Sequence, residues 1–185
     1  MSIPYYHKLI KVIKNNNIKI EECNVFVETG LYIGETISDL HFNKYFDDMS
    51  KVYSIEIEKK LVDECMQRFS FLKKEKFGII HGDSSIELDS ITKKHSDEKM
   101  FFWLDAHYSG GHTGKSEKYG ECPIIGELDF LENLNVKPII LIDDTGLFGV
   151  QKDYPTIEKV KEKLNSFSFD FKIKIDEDLQ TLIAS

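Results

Sequence analysis

Residues 24–36 read NVFVETGLYIGET, a short apolar run followed by an acid and two spaced glycines. The apolar residues 25–27 are typical of a strand buried in a parallel sheet, and Glu28 ends the run. Gly30 and Gly34 permit a tight turn and a close approach of the backbone to a ligand, and a helix follows whose first N–H groups point back at the turn. The stretch predicts a nucleotide-type pocket. An ordinary strand-to-helix turn with two glycines is the alternative, because isolated glycine patterns have low specificity.

Length and composition limit the possible protein classes. The 185 residues suit one domain with a substantial core. No apolar run approaches the roughly 18 residues that span a bilayer, so we expect a soluble protein with no membrane partner. The N-terminus lacks the features of a secretory signal, which predicts a cytoplasmic location. A net charge of −8 provides no basic surface for a phosphate backbone, so nucleic acid is not an expected partner.

Strand and helix patterns alternate along the chain and predict an α/β fold. The predicted strands are residues 25–27, 51–55, 77–81, 99–104 and 138–142, followed by a pair without an intervening helix at 170–175 and 180–184. We therefore expect a single doubly wound, Rossmann-like, mostly parallel sheet with helices on both faces and a C-terminal antiparallel hairpin. Ligands of such sheets bind outside the carboxyl ends of the strands.

The N-terminal segment is predicted to be separate from this alternating pattern. Apolar residues recur at helical spacing between residues 6 and 13, so residues 1–22 are expected to contain an amphipathic helix. This helix would pack on or cap a domain of residues 23–185, or contact a partner. The sequence leaves the oligomeric state open, a homo-oligomer included.

The acids and glycines near the first three strand ends resemble the S-adenosylmethionine site of the class I methyltransferases. They are Glu28, Thr29, Gly30 and Gly34, with Glu56 after the second strand and Asp83 after the third. The terminal hairpin matches the fold of that family. The resemblance implies that Gly30 and Gly34 face the methionine part of the cofactor and that Glu56 takes the two ribose hydroxyls. It also implies that Asp83, with Ser84, contacts the adenine.

Simple chemistry agrees with the assignment of Glu56, because a carboxylate only accepts hydrogen bonds and can take both hydroxyls of a vicinal diol. The alternative is a surface acid beside Glu58. Asp83 has an alternative role as a helix N-cap, because the GDSS sequence at residues 82–85 has the composition of a helix start. Capping and binding are compatible.

A second acidic cluster is expected where the fourth and fifth strands end. Asp105 follows the fourth strand, and Asp143 and Asp144 follow the fifth. Three converging carboxylates repel one another unless a cation bridges them, and oxygen ligands favour Mg²⁺. The pattern resembles the metal-dependent small-molecule O-methyltransferases of the catechol and macrolide-sugar types, and this resemblance implies a magnesium site. A turn before Gly146 is the alternative for the acidic pair.

His107 and the loop around it complete the predicted active site. His107 lies two residues after Asp105, where its imidazole could take a proton from an acceptor hydroxyl, as could Asp105 itself. A structural loop histidine is an equal alternative. Residues 106–122 form a long, glycine-rich loop that is predicted to be a lid over bound substrate or, alternatively, a disordered connection.

These resemblances together imply an S-adenosylmethionine-dependent methyltransferase that methylates a hydroxyl of a small molecule or sugar with magnesium assistance. A dehydrogenase is disfavoured because the glycine pattern G-x-G-x-x-G is missing. The alternative from another class is a non-catalytic relative of this fold that binds a nucleotide-like ligand or a protein. A binding module of that kind would not need the acidic cluster.

Overall fold

The computed structural model of the chain describes residues 8–185 and arranges seven strands in one sheet. The strands are β1 (Val25–Thr29), β2 (Lys51–Glu56), β3 (Phe77–His81), β4 (Met100–Leu104), β5 (Ile139–Ile142), β6 (Ile173–Asp176) and β7 (Thr181–Ala184). The helices are α1 (Lys8–Asn15), α2 (Glu35–Phe42), α3 (Tyr45–Asp48), α4 (Lys59–Arg68), α5 (Ser84–Lys94), α6 (Ile124–Leu131) and α7 (Ile157–Asn165). Short 3₁₀ helices cover Ile20–Glu22 and Thr145–Leu147.

The strand order is β3-β2-β1-β4-β5-β7-β6, with the first five strands parallel. β7 pairs antiparallel with both β5 and β6, so the C-terminal hairpin forms one edge of the sheet. This topology confirms the predicted doubly wound sheet. The chain runs outward in opposite directions from β1 and β4, so the switch point of the sheet lies between these two strands.

The central strands are apolar on both faces because helices cover both sides of the sheet. In β4, Phe102 and Leu104 belong to the core layer that also contains Leu88 of α5 and Leu128 of α6. The alternate residues Phe101 and Trp103 belong to the opposite layer, which the first four helices cover. The alternation follows from the period of two along a strand.

Helix α1 is part of the second core layer. Its residues Leu9, Ile10, Val12 and Ile13 are buried there with Ile37 and Leu40 of α2. The predicted amphipathic helix therefore packs on the domain over its described part, while residues 1–7 lie outside the described residues. Among residues 8–185, no helix combines the length and apolar character that a membrane span requires.

Strand β1 continues past the position at which the sequence predicts its end. Glu28 pairs in register with Ser54 of β2 and with Trp103 of β4, so it lies inside the sheet and not at its edge. Thr29 is the last residue of the strand. β1 is thus two residues longer than predicted, and the Glu28 side chain lies in the protein interior, where its exposed fraction is 1%.

Candidate functional site

A cavity of about 520 Å³ lies at the carboxyl ends of the central strands. The predicted site residues that line it are Gly30, Glu56, Asp83, Ser84, Asp105 and His107. Residues 109–114 of the long loop also line it. The volume is suited to a small-molecule ligand, because such sites measure ~300–1,000 Å³. The position agrees with the general rule that ligands of these sheets bind at the switch point.

Gly30 forms the contact between the β1 turn and the end of β4. Its φ of +82° lies in the left-handed region, and a Cβ atom there would lie 2.3 Å from the carbonyl oxygen of Asp105. The Asp105 N–H donates to the Thr29 carbonyl at 3.1 Å, and the Gly30 N–H donates to the Ile55 carbonyl at 2.9 Å. The turn is therefore held between β2 and β4, and only glycine fits it.

Glu56 is fixed by two backbone donors at the wall of the cavity. Its Oε2 accepts from the N–H of Tyr32 at 2.9 Å, and its Oε1 accepts from the N–H of Glu58 at 2.8 Å. A carboxylate has about four acceptor positions, so each oxygen can still accept a hydroxyl. The Glu56 residue is 6% exposed, which does not fit the alternative of a surface acid.

Asp83 caps a helix and also lines the cavity. Its Oδ1 accepts from the N–H of Ser85 at 2.9 Å, so Asp83 is the N-cap of α5. The same residue lines the cavity together with Ser84. The N-terminal turn of α5 therefore lies at the cavity wall.

Glu28 and Gly34 do not line this cavity in the described part of the chain, and their contact with the cofactor stays a prediction. Glu28 accepts hydrogen bonds from Ser54 and Thr36, and burial raises its pKa to about 8. Gly34 has a φ of +77°, and a Cβ there would lie 2.4 Å from the ring of Phe69. Glu28 thus joins β2 to α2, and Gly34 permits close packing against the segment after α4.

Asp105, Asp143 and Asp144 converge as predicted, and two side chains connect them. The His107 Nδ1 lies 3.1 Å from Asp105 Oδ1, and its Nε2 lies 3.1 Å from Asp144 Oδ2. The Nζ of Lys8 contacts Asp143 Oδ1 and lies 2.8 Å from Asp144 Oδ1. We call these five residues the acidic cluster.

The charges of the cluster depend on these contacts. Burial alone would lower the pKa of His107, but its hydrogen bonds to Asp105 and Asp144 outweigh burial and raise this pKa to about 10. The contacts with His107 and Lys8 hold the pKa of Asp144 well below its usual range. Burial and the charge of Asp105 raise the pKa of Asp143, and the Lys8 ammonium opposes this effect. His107 is therefore an imidazolium that donates from both nitrogens.

The predicted magnesium site does not fit this arrangement. The three carboxylates have the oxygen donors that Mg²⁺ prefers, but the Lys8 ammonium lies between Asp143 and Asp144, and the His107 ring lies between Asp105 and Asp144. In the range 8–185, no group of three histidine, cysteine or acidic residues is arranged to hold a metal ion. In this arrangement, the carboxylates contact the ammonium group of Lys8 and the imidazolium ring of His107.

The loop of residues 106–122 is folded across one side of the cavity. Ser116 and Gly120 form an antiparallel bridge, and Lys115 Nζ lies 2.7 Å from Glu121 Oε1 and 4.0 Å from the centroid of the Tyr108 ring. A Cβ at Gly114 would lie 2.3 Å from the Ile57 side chain, so the loop packs against the segment after β2. The position is that of the predicted lid, and the internal contacts do not fit a disordered connection.

A second, much smaller cavity of about 10 Å³ adjoins the first at His107. It is lined on the far side by Glu127 of α6 and by Tyr154. The Oε1 of Glu127 and the OH of Tyr154 are buried without a hydrogen-bond partner among the described residues. The other carboxylate contacts of Glu127 are hydrogen bonds with Ser84 and Thr29. A volume of this size holds one polar atom or one water molecule.

Sequence reasoning did not identify several residues of the site, among them Glu127, Lys8 and Tyr32. Glu127 could have been identified from the sequence, because it is a charged residue within the largely apolar segment IIGELDFL of α6. Lys8 had no signal, because its contacts depend on how α1 docks. Tyr32 lines the cavity and contributes its backbone N–H to Glu56, and a sequence pattern does not identify a backbone donor.

The structure resembles solved methyltransferases. A caffeoyl-CoA O-methyltransferase-like protein from Staphylococcus aureus matches with a TM-score of 0.60 and 15% identity over 98% of this chain and 85% of the other. Human methyltransferase-like protein 13, in complex with S-adenosylhomocysteine, matches with a TM-score of 0.55 and 16% identity over 96% and 77%. An rRNA methylase from Streptococcus thermophilus matches with a TM-score of 0.54 and 12% identity over 100% and 96%.

No protein-family model and no curated protein matches the sequence. The structural matches show that the chain has the fold of the class I S-adenosylmethionine-dependent methyltransferases. These structures differ in their acceptors, so the fold by itself does not identify a substrate.

The first prediction concerns the Gly30 turn. Gly30→Ala should lower the free energy of unfolding by roughly 2–5 kcal/mol, because left-handed strain adds to overlap with the Asp105 carbonyl. Gly110→Ala is the control: its φ is +87°, but nothing lies within 4 Å of a Cβ there, so strain alone should cost about 1–2 kcal/mol. Urea denaturation measures both variants. Equal losses would contradict the proposed backbone contact.

The second prediction concerns His107. Because its pKa is raised from 6.5 to about 10, its ion pairs stabilise the fold fully below about pH 6.5 and progressively less as the pH rises through about 10. The stability difference between the parent and His107→Gln should therefore shrink over this range. Urea denaturation at several pH values measures it. A difference that stays constant would show that His107 is not held as an imidazolium.

Proposed function

We propose that this chain binds S-adenosylmethionine in the large cavity and transfers its methyl group to a hydroxyl of a small molecule or sugar. The observation that carries the proposal is the Glu56 carboxylate, which two backbone donors hold at the cavity wall beside the Gly30 turn. The fold supports the same conclusion, and a structural neighbour, human methyltransferase-like protein 13, was solved with S-adenosylhomocysteine.

The cavity wall supplies suitable groups for each part of this cofactor. Glu56 would accept both ribose hydroxyls, and its fixed orientation means that little conformational entropy is lost on binding. Asp83 and Ser84, at the start of α5, would contact the adenine. The Gly30 turn would face the methionine part, next to Asp105. When bound, the cofactor supplies an electrophilic methyl group on a positively charged sulfur.

Asp105 is the proposed proton acceptor of the reaction. The acceptor oxygen forms a bond to the methyl carbon while the carbon–sulfur bond breaks, and the hydroxyl proton passes to the Asp105 carboxylate, which lines the cavity. Both nitrogens of His107 already donate to carboxylates, so His107 in this state has no lone pair for a proton. We therefore propose that His107 holds Asp105 in its orientation. His107 could act as a base only after it loses a proton.

The small cavity behind His107 supports a hydroxyl as the acceptor group. Glu127 Oε1 can accept a hydrogen bond and the Tyr154 OH can donate or accept one, and both atoms are buried there without a partner among the described residues. A hydroxyl of the substrate or of an ordered water could form a hydrogen bond with either atom. The overlying loop supports a small acceptor, because it restricts the cavity to about 520 Å³.

The resemblance to metal-dependent O-methyltransferases also implies magnesium assistance. No step of the proposed mechanism depends on it, because nitrogen cations contact the carboxylates that would bind the ion. Positioning of the acceptor in the closed cavity supplies the catalytic effect instead, since correct orientation of reactants lowers barriers by several kcal/mol.

The third prediction tests the cofactor site. Glu56→Ala should raise the dissociation constant of S-adenosylmethionine at least about tenfold, because each lost bond to a charged acceptor contributes roughly 1.5–3 kcal/mol. Isothermal titration calorimetry measures the change. Glu64→Ala is the matched control, because Glu64 is an exposed acid on α4 that pairs with Lys60. A folded Glu56→Ala variant that binds as tightly as the parent would contradict the ribose assignment.

A further inference from the structure

Lys8 reaches the acidic cluster from a helix that belongs to the core. Its neighbours Leu9 and Ile10 are 1% and 0% exposed, so the start of α1 has a defined position on the domain. The Lys8 Nζ contacts Asp143 Oδ1 and lies 2.8 Å from Asp144 Oδ1. An ion pair between exposed, mobile side chains contributes little, but here the Asp143 side chain is only 8% exposed and the lysine is already oriented.

The lysine ammonium occupies the position where a shared cation would bridge the carboxylates of Asp143 and Asp144. The second oxygen of Asp144 contacts the ring of His107, whose other nitrogen contacts Asp105. Each carboxylate of the cluster therefore touches at least one nitrogen cation. An Mg²⁺ ion needs about six oxygen ligands at 2.0–2.1 Å, and an ammonium group between two of these ligands excludes the ion both sterically and electrostatically.

We propose that Lys8 is the built-in cation of this cluster and replaces a divalent metal there. Lys8 is then a positioning residue: it holds Asp144, which holds the His107 ring, which holds Asp105 at the cavity. The catalytic consequence rests on the proposed function, but the exclusion of metal by Lys8 does not. The proposal also gives the N-terminal helix a role in the site.

Direct titration of the full chain with MgCl₂ and MnCl₂ tests this proposal by calorimetry and by thermal unfolding. The parent should show no metal binding at the cluster. Lys8→Met should unfold at a lower temperature than the parent, because it leaves buried carboxylates without their cation. This variant should bind Mg²⁺ or Mn²⁺ with an affinity at least about tenfold above the detection limit of the titration of the parent, and the metal should restore part of the lost stability.

Two further variants serve as matched controls. Lys8→Arg keeps the charge at the same position and should behave as the parent does. Lys11→Met removes a lysine from an exposed position of the same helix and should not create metal binding. If Lys8→Met does not fold, the Mn²⁺ titration of the parent and of Asp144→Asn decides the question.

Metal binding by the parent that Asp144→Asn abolishes would overturn the proposal, as would a folded Lys8→Met variant that neither loses stability nor gains metal affinity. Neither measurement uses the methyl donor or an acceptor. A failure of this proposal is therefore distinguishable from a failure of the proposed function, which a separate titration with S-adenosylmethionine would reveal.

Discussion

The close contact between the Gly30 turn and the backbone of Asp105 determines the geometry of the whole site. Gly30 follows β1 and Asp105 follows β4, and the switch point of the sheet lies between these two neighbouring strands. Because no side chain fits between them, the turn after β1 and the loop after β4 start from one point and diverge around the cavity. Glu56, the long loop and the acidic cluster are all placed relative to that point.

The second constraint is the repulsion between the acidic side chains that lie at the carboxyl ends of the strands. Their charges are stabilised in four different ways. Glu28 is buried with a raised pKa and is held by two hydroxyls. Glu56 accepts two backbone N–H groups, and Asp83 caps a helix. The acidic cluster is compensated by lysine and histidine. Among these acids of the described chain, Glu56 and Asp83 lie at the cavity wall and keep acceptor capacity for a ligand, and Asp105 lies beside them.

The sequence predicted much of the fold because the relevant signals are local. Apolar runs of strand length alternate with helical stripes, and the absence of a helix between the last two strands indicated the hairpin. The positions of Glu56, Asp83 and Asp105 at the cavity followed from the same pattern, because parallel strands end at one edge of the sheet. Burial of Glu28 was not predicted, because a strand longer by two residues changes which side chains leave the sheet.

The remaining site features depend on tertiary contacts between distant segments. Lys8 and Asp144 are 136 positions apart, and no pattern in the sequence relates α1 to the end of β5. The close approach of Gly34 to the Phe69 ring is likewise a tertiary contact that the glycine pattern alone does not reveal. Three converging carboxylates led to the prediction of a magnesium site. The sequence pattern gave no sign that Lys8, from a distant segment, contacts Asp143 and Asp144.

Calorimetric titration of the unmodified chain with S-adenosylhomocysteine, and with NAD in a separate run, tests the central claim most directly. S-adenosylhomocysteine has the ribose diol and the adenine that the proposed function assigns to Glu56 and Asp83. The account predicts saturable binding of one S-adenosylhomocysteine per chain and no binding of NAD. Binding of NAD without binding of S-adenosylhomocysteine, or binding of neither compound, would contradict the assignment of this cavity as a methyl-donor site.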